Sequence, residues 1–338
     1  MATPLKASQK PSTKPAAPSS PPRFYADNTI LSGYKKCPRF HYLRQERGWR
    51  SEGIRKPLVF GIAWHAAMAV VWQGYHKLGK NLLPVAMEAF WQSWVDEGAP
   101  KTLDLATIEE WGARTPHVAE EMLINYVHER ESILKKSRLL SSEQPFAVPI
   151  FPDDTSVWYI GRKDEKILLN GEGLVIEHKT TSEYKKDGGF KSSYIEGWSP
   201  NAQIEGYLYS EQHEKKNRAR MVWVDAALVH KQVHDKFKFI PISIATGGIE
   251  AWLWECRDWI ARIMSERERL ATADTNASHM TAFPKNTESC SGKYGLCEFI
   301  HLCRSVNNPH KLKAPPEGFL EDRWEPFDIL KLNTIMEK

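Results

Sequence analysis

Apolar and polar positions alternate with different periods along this chain, and the changes in period divide it into blocks. From Leu58 to Gly79 the run LVFGIAWHAAMAVVWQGYHKLG starts apolar and continues as a helix. Ala63, Ala66, Ala67 and Ala69 leave one side of it small, so something packs closely there. Further helical patterns cover about Leu83–Glu97 and Thr107–Leu140, which makes residues 58–140 a helical block. Strand patterns follow at Phe146–Ile150, Val157–Gly161, Lys166–Leu169 and Leu174–Lys179, with Asn170-Gly171 a strong turn signal between the last two. Thr181–Ser199 is polar, contains Asp187-Gly188-Gly189 and reads as a mobile loop. Ser199-Pro200 opens a helix over PNAQIEGYLYSEQ, two strands at Ala219–Val229 and Gln232–Ile244 form a hairpin, and a helix of about Gly248–Ala273 closes the pattern. Near the start, LSGYKKCPRFHYLRQERGW predicts a helix capped by Ser32, beginning about Gly33 and re-set at Pro38.

Composition narrows the classes. The chain has 338 residues, 41% hydrophobic and 11% aromatic with 13 Trp, enough to bury a substantial core in one large domain or two ordinary ones. The net charge of +4 permits a nucleic-acid partner without demanding one. No apolar run approaches the length of a membrane span and no signal-peptide core is visible, so no membrane partner is expected. Five cysteines are too few for a disulfide scaffold and point to a cytoplasmic protein whose thiols are free or bind metal. Residues 1–22 are rich in Pro, Ser, Ala, Thr and Lys without one acidic residue, and read as a disordered basic tail.

The candidate chemistry centres on GRKDEKILLNGEGLVIEHKTT, Gly161 to Thr181. Residues two apart on a strand share a face, so Glu177 and Lys179 point one way and His178 the other. Asp164, near the end of the preceding strand, can come beside Glu177 in a hairpin. Two carboxylates repel each other, and a hard divalent cation, Mg²⁺ or Mn²⁺, relieves that repulsion. A neighbouring ammonium can hold a water and favour its deprotonated form, which is chemistry for phosphodiester hydrolysis. Taken alone, the stretch also reads as a hairpin with a solvated Glu–Lys pair. His65, in an apolar helix, reads alone as a satisfied core histidine. Gln203 and Tyr207 are four apart on one helical face. Around Pro38, the cations Lys35, Lys36, Arg39, Arg44 and Arg47 interleave with Tyr34, Phe40 and Tyr42, which suits either a nucleic-acid strand or an amphipathic surface helix. Cys290, Cys297 and Cys303 cluster near the end, and Cys37 is the natural fourth thiolate for zinc or an iron–sulfur cluster. Cys256, mid-helix among Trp252, Trp254 and Trp259, reads as a packing thiol.

In order along the chain, Cys37-Pro38, Gly61 to His65, Asp164, Glu177 with Lys179, Gln203 with Tyr207, and Cys290, Cys297 and Cys303 resemble the PD-(D/E)XK nuclease superfamily, in particular its RecB-like and Cas4-like branch with an iron–sulfur cluster. The resemblance spans roughly residues 25–305. The gap between Cys290 and Cys297 is wider than in many relatives, and the first acidic motif has Lys163 where a proline would stand. The resemblance implies an α/β, restriction-endonuclease-like fold: a mixed β-sheet core at 145–245 flanked by helices, a helical insertion at 58–140 and a cysteine-cluster segment at 285–305. The nuclease domain would span 23–310, with a C-terminal extension at 311–338. It implies a DNA nuclease, an exonuclease on single-stranded ends, with a helicase or recombination partner possible in recombination, repair or replication. His65, Asp164, Glu177 and the backbone carbonyl of His178 would hold Mg²⁺ or Mn²⁺. Lys179 would activate water, Gln203 and Tyr207 would orient the lysine or the DNA, and Cys37, Cys290, Cys297 and Cys303 would hold a [4Fe-4S] cluster, or zinc. The alternatives are a nuclease-inactive DNA-binding or scaffold protein, and an electron-transfer protein, which leaves the acidic triad unexplained.

Overall fold

In a computed structural model, which describes residues 24–154, 156–185, 188–292 and 295–324, the chain reverses at Asn170 and Gly171. Both take positive φ, 51° and 84°, as a tight hairpin turn requires. The turn joins the long strand β4 (Val157–Leu169) to β5 (Glu172–Thr181). One edge of β4 pairs antiparallel with β3 (Arg138–Pro149). The other edge is shared: β1 (Phe24–Ala26) runs parallel to Val157–Tyr159, and β5 pairs antiparallel with Glu165–Leu169. Between these two stretches β4 parts from both neighbours, and a fork opens in the sheet. β5 continues in parallel beside β6 (Ala219–Leu228), which pairs antiparallel with β7 (Phe237–Ile242).

Helices cover both faces. The helical block comprises α3 (Lys56–Leu78), α4 (Leu82–Asp96), α5 (Leu105–Trp111) and α6 (Pro116–Lys136). It packs Phe60, Trp64, Met68, Phe90 and Tyr126 against Ile167, Leu174 and Ile176 of the sheet. On the other face, α8 (Ala202–Glu211) lays Ile204, Tyr207 and Leu208 on Val175, Val222 and Val224. A third cluster joins β1 and α1 (Asn28–Lys36) to α9 (Gly248–Ala271) and the C-terminal segment, through Leu31, Tyr34, Trp252, Ile260, Phe283 and Phe299. The smaller elements are α2 (Pro38–His41) with a π-helical turn after it, β2 (Trp49–Ser51), α7 (Ser192–Glu196), β8 (Ser291–Gly292), β9 (Gly295–Leu296), α10 (Ile300–Ser305) and β10 (Phe319–Glu321). β10 pairs with β2. The expected fold, a mixed sheet flanked by helices, is the one observed.

Several expected elements differ. The first helix starts at Asn28, because Asp27 and not Ser32 caps it: Asp27 Oδ1 accepts from Ile30 N at 2.6 Å. The helix expected over Thr107–Leu140 is two, broken at Gly112 (φ 60°), and it ends at Lys136. Arg138–Leu140 already belongs to β3. The two strands expected at Val157–Gly161 and Lys166–Leu169 are one, because the charged run between them is buried and paired. The hairpin arms are shorter than expected, with residues 229–236 between them. Thr181–Ser199 is not a bare loop: Phe190, Tyr194, Ile195 and Trp198 pack against the α8 face. Contrary to expectation, Lys56–Asp96 is long and apolar enough to cross a membrane, but it is α3 and α4 joined near Gly79, and its most apolar stretch is half buried inside the fold. The tail at 1–22, Asp187 and the extension beyond 324 lie outside the described residues.

Candidate active site

At the fork, β4 and β5 stop pairing after Glu165 and Ile176. The next residue on each strand is Asp164 and Glu177, so the two carboxylates face each other where the strands part. The parting leaves the N–H of His178 without a β4 carbonyl. Asp164 Oδ2 takes its place, accepting from His178 N at 2.7 Å, which satisfies a buried backbone donor. Lys163 and Lys166, three apart, both reach Glu211 of α8. A regular strand would send them to opposite faces, so the alternation breaks around Asp164.

Each neighbouring element adds one or two groups. α3 presents His65, whose Nδ1 lies 3.3 Å from Asp164 Oδ2. The small residues Gly61, Ala66 and Ala69 on the same helix line the cavity beside it, about 1020 Å³ in volume. Lys179 Nζ bonds Glu177 Oε1, as the shared strand face requires. From α8, Gln203 Nε2 donates to the same oxygen at 2.7 Å and to the Tyr207 hydroxyl at 2.8 Å; Tyr207 in turn donates to the Arg162 carbonyl at 2.9 Å. Asn201 caps α8 by accepting from Gln203 N and so fixes its first turn. The other oxygen, Glu177 Oε2, is buried and has no hydrogen-bond partner among the described residues.

Asp164 and Glu177 are 5% and 1% exposed. Burial alone would raise both carboxyls. His65 beside Asp164 overcomes this and holds Asp164 below the usual carboxylate range. Burial and the Asp164 charge leave Glu177 above it, despite Lys179. Burial opposes the Lys179 ammonium, but Glu177 and Asp164 lift its pKa. Burial likewise opposes a charge on His65, and Asp164 raises its pKa. An uncompensated buried carboxylate oxygen next to a second carboxylate and an imidazole is a donor set that suits a hard or borderline divalent cation.

The structure therefore brings together His65, Asp164, Glu177, Lys179, Gln203 and Tyr207, and places the His178 backbone at the same fork. The His178 ring points away, packed near Trp72 and Tyr126, with Nδ1 3.5 Å from Asp225 Oδ2. Asp225 accepts from Arg130 at 2.8 Å and from the Tyr126 hydroxyl at 2.6 Å. This buried network lies behind the His178 ring, whose nitrogens make no hydrogen bond among the described residues, and it carries no sequence signature. Glu143 is a second residue the sequence reading missed. It falls in the stretch read as helix end and gap, yet the pairs Ser142–Glu165 and Gln144–Lys163 put it opposite Asp164.

Much of the basic and aromatic run near Pro38 is taken up by contacts inside the fold, while Lys36 stays exposed. Tyr34 and Tyr42 are core residues, Arg39 is 3% exposed, and its Nε donates to the Phe283 carbonyl at 2.9 Å. Arg47 donates to the Leu312 carbonyl and stacks on Trp49. These cations lace the N-terminal segment to the C-terminal one. The cysteines lie in the same lacing. Asn286 N donates to Cys37 Sγ at 3.3 Å, Cys290 Sγ lies 4.0 Å from Asn286 O, and Cys297 N donates to Cys290 O at 2.9 Å. Burial, opposed by Arg39, raises the Cys303 thiol to about 11, and Cys297 and Cys37 add to the rise. Cys256 is buried, as expected of a packing thiol, and burial pushes it to about 12.

No curated protein matches the chain at a significant level. Among solved structures, one from Eubacterium rectale named "Putative exonuclease" is 14% identical, with 87% of this chain and 91% of that one covered and a TM-score of 0.46. Another, named SSO0001, is 14% identical, with 69% and 84% covered and a TM-score of 0.26. A family model described as the PD-(D/E)XK nuclease superfamily matches residues 29–304, from α1 to the last cysteine. With the forked sheet and its buried acidic pair inside that span, the chain belongs to the PD-(D/E)XK nuclease superfamily.

Proposed function

We propose that this nuclease is a divalent-cation-dependent deoxyribonuclease that acts as an exonuclease on single-stranded ends. The observation that carries the reading is the Asp164–Glu177 pair at the fork, with Glu177 Oε1 held by Lys179 and Gln203 and the buried Oε2 without a hydrogen-bond partner among the described residues. Asp164 and Glu177 would hold Mg²⁺ or Mn²⁺, with His65 and the His178 carbonyl as further ligands. A bound cation neutralises the two carboxylates and stabilises charge on a phosphoryl oxygen. Lys179 donates to the attacking water and favours its hydroxide form. Gln203 keeps Glu177 from rotating, and Tyr207, anchored to the Arg162 carbonyl, keeps Gln203 in place. A nitrogen ligand from His65 favours Mn²⁺ over Mg²⁺.

Cys37, Cys290, Cys297 and Cys303 would hold a [4Fe-4S] cluster, as in the RecB-like and Cas4-like branch. Asn286 meets the sulfurs of Cys37 and Cys290, Cys297 N bonds the Cys290 carbonyl, and all four cysteines are free. A single tetrahedral zinc needs its sulfurs about 3.8 Å apart. Among the described residues, the only trio of metal-binding side chains drawn within 4.8 Å is His65, Glu143 and Asp164. A [4Fe-4S] cluster takes four thiolates, one on each iron. Free thiols fit a reducing, cytoplasmic setting.

End-labelled single-stranded DNA incubated with Mn²⁺, with Mg²⁺ or with chelator tests the reading. Release of label with either metal is expected, more with Mn²⁺. Lys179→Ala should slow release about 10²–10⁴-fold while Mn²⁺ affinity by calorimetry stays within a few-fold. DNA binding without cleavage under every metal condition would replace the enzyme by a scaffold that keeps the fold.

A further inference from the structure

The family match ends at residue 304, and the chain beyond it returns to the site. Trp324 lines the same cavity as Asp164 and Glu177. It is half-buried and packs against the cluster that holds α1 and α9. The residues just before it are tied down. β10 pairs with β2, and Asp322 N donates to the Gly48 carbonyl at 2.6 Å. Arg44 donates to the Asp322 carbonyl at 2.8 Å, and Arg50 pairs with the Asp322 carboxylate at 2.7 Å. Arg323 lies so close to Gly48 that a Cβ there would come 2.5 Å from Arg323 Cγ. An indole is thereby held at a fixed place on the cavity wall.

α3 adds apolar groups to the same cavity. Leu58 and Ile62 line it, and they are 54% and 36% exposed. α3 packs in the cluster of the helical block, and Trp324 in that of α1 and α9, so the cavity lies along the seam between the two. The carboxylate pair at the fork gives a reason for a phosphodiester to enter this cavity; an indole and two exposed aliphatic side chains give a phosphate nothing. They suit a nucleobase. An indole face takes an unpaired base by stacking, whereas in a duplex the base faces are covered by their neighbours.

We propose that Trp324 is a stacking platform for one unpaired base of the substrate, with Leu58 and Ile62 as apolar contacts for the base beside it. A strand then reaches the carboxylate pair only with its bases free. Stacking is indifferent to which base is presented, so the strand is taken without sequence preference. The proposal rests on the nuclease reading above and deepens it, because it names the groups that make the substrate single-stranded.

Binding of the full chain to short labelled DNA strands tests it, read by fluorescence anisotropy with Ca²⁺ in place of Mn²⁺ to hold off cleavage. The probes are oligothymidine, an abasic strand of the same length, which keeps the phosphates and lacks the bases, and a duplex. The wild type should bind oligothymidine most tightly. Trp324→Leu, apolar but without a ring, should weaken oligothymidine binding about 5–150-fold, the range for losing one stacked base. Its affinity for the abasic strand and the duplex should stay within two-fold, which a misfolded variant would not show. Trp324→Phe keeps a ring and should restore most of the oligothymidine affinity. Equal loss on oligothymidine and the abasic strand, or no loss on either, overturns the platform; the nuclease reading still stands if the wild type releases label with Mn²⁺. A wild type that neither binds nor cleaves any of the three probes overturns both.

Discussion

Glu211 shows how one residue can serve a site it never touches. Its carboxylate binds the buried ammonium groups of Lys163 and Lys166 and accepts from Ala219 N at 2.8 Å. It thereby pins the end of α8, whose first turns carry Gln203 and Tyr207. Burial would raise the Glu211 pKa, but Lys163 and Lys166 hold it below the usual glutamate range. The depressed pKa fixes the sign: its stabilisation is present above about pH 4.5 and is lost as pH falls through the folded value. Glu211→Gln leaves two buried ammonium groups without a counter-charge, and should destabilise the fold by about 3–5 kcal/mol at pH 7. Urea unfolding of both proteins from pH 7 to pH 3 should show that gap closing below pH 4.5. A constant gap would mean that Glu211 acts through packing alone. No sequence pattern marks this residue: it sits at a helix end among polar neighbours, and its partners lie 48 and 45 positions away. Asp164, Glu177 and Lys179 are legible because they sit on one turn of chain. Glu143 and Asp225 are not, because only strand pairing brings them to Asp164 and His178.

Among the elements, α8 and β4 decide how the site is held. A Cβ at Gly206 would lie 2.5 Å from the Tyr159 hydroxyl and 2.6 Å from its ring. Tyr159 is buried and wedged against Trp252, so it cannot swing away. Gly206→Ala should push α8 off β4, costing about 1–3 kcal/mol. It should also shift Gln203 and Tyr207 relative to Glu177; a displacement of about 1 Å can cost on the order of 100-fold in rate. A lower Tm together with a reduced kcat and little change in KM would bear this out. An unchanged kcat at reduced Tm would show that α8 can move without disturbing Glu177. The turn at Asn170-Gly171 is legible because its chemistry is local. The end of α6 is not, because Leu139 and Leu140 extend the apolar helical pattern past Ser137, where no Gly or Pro marks a stop. The middle of β4 is hidden for another reason. Arg162 to Lys166 is an unbroken charged run that hides the continuity of the strand, and it is mostly buried only because Glu211, His65 and Ser142 partner it.

At the scale of the molecule, the two ends of the described chain are stitched together. β10 pairs with β2, Arg39 bonds the Phe283 and Pro284 carbonyls, and the sulfurs of Cys37 and Cys290 meet at Asn286. A cluster there would close almost the whole ordered chain into one loop. Such closure restricts the unfolded ensemble; a crosslinked loop of 100 residues is worth about 4.7 kcal/mol in the chain-entropy account. The purified protein should be brown, with broad absorption near 400 nm. Cys37→Ala should be colourless and protease-sensitive, and should lose activity in step with folded fraction. A colourless wild type with one zinc per chain would keep the staple and change its metal. A metal-free wild type as resistant as Cys37→Ala would remove it.

The same stitching sets a clock on synthesis. β1 pairs with a strand that lies more than a hundred residues downstream, and Cys37 meets Asn286 across 249 positions. At about 5–20 residues per second, the first cysteine leaves the ribosome roughly 12–50 s before its partner exists. During that interval His65, Asp164, Glu177 and Lys179 have all been made, but the frame that clamps β1, α1 and α9 around them has not. The residues of the candidate site are translated early, and the frame around them is completed last.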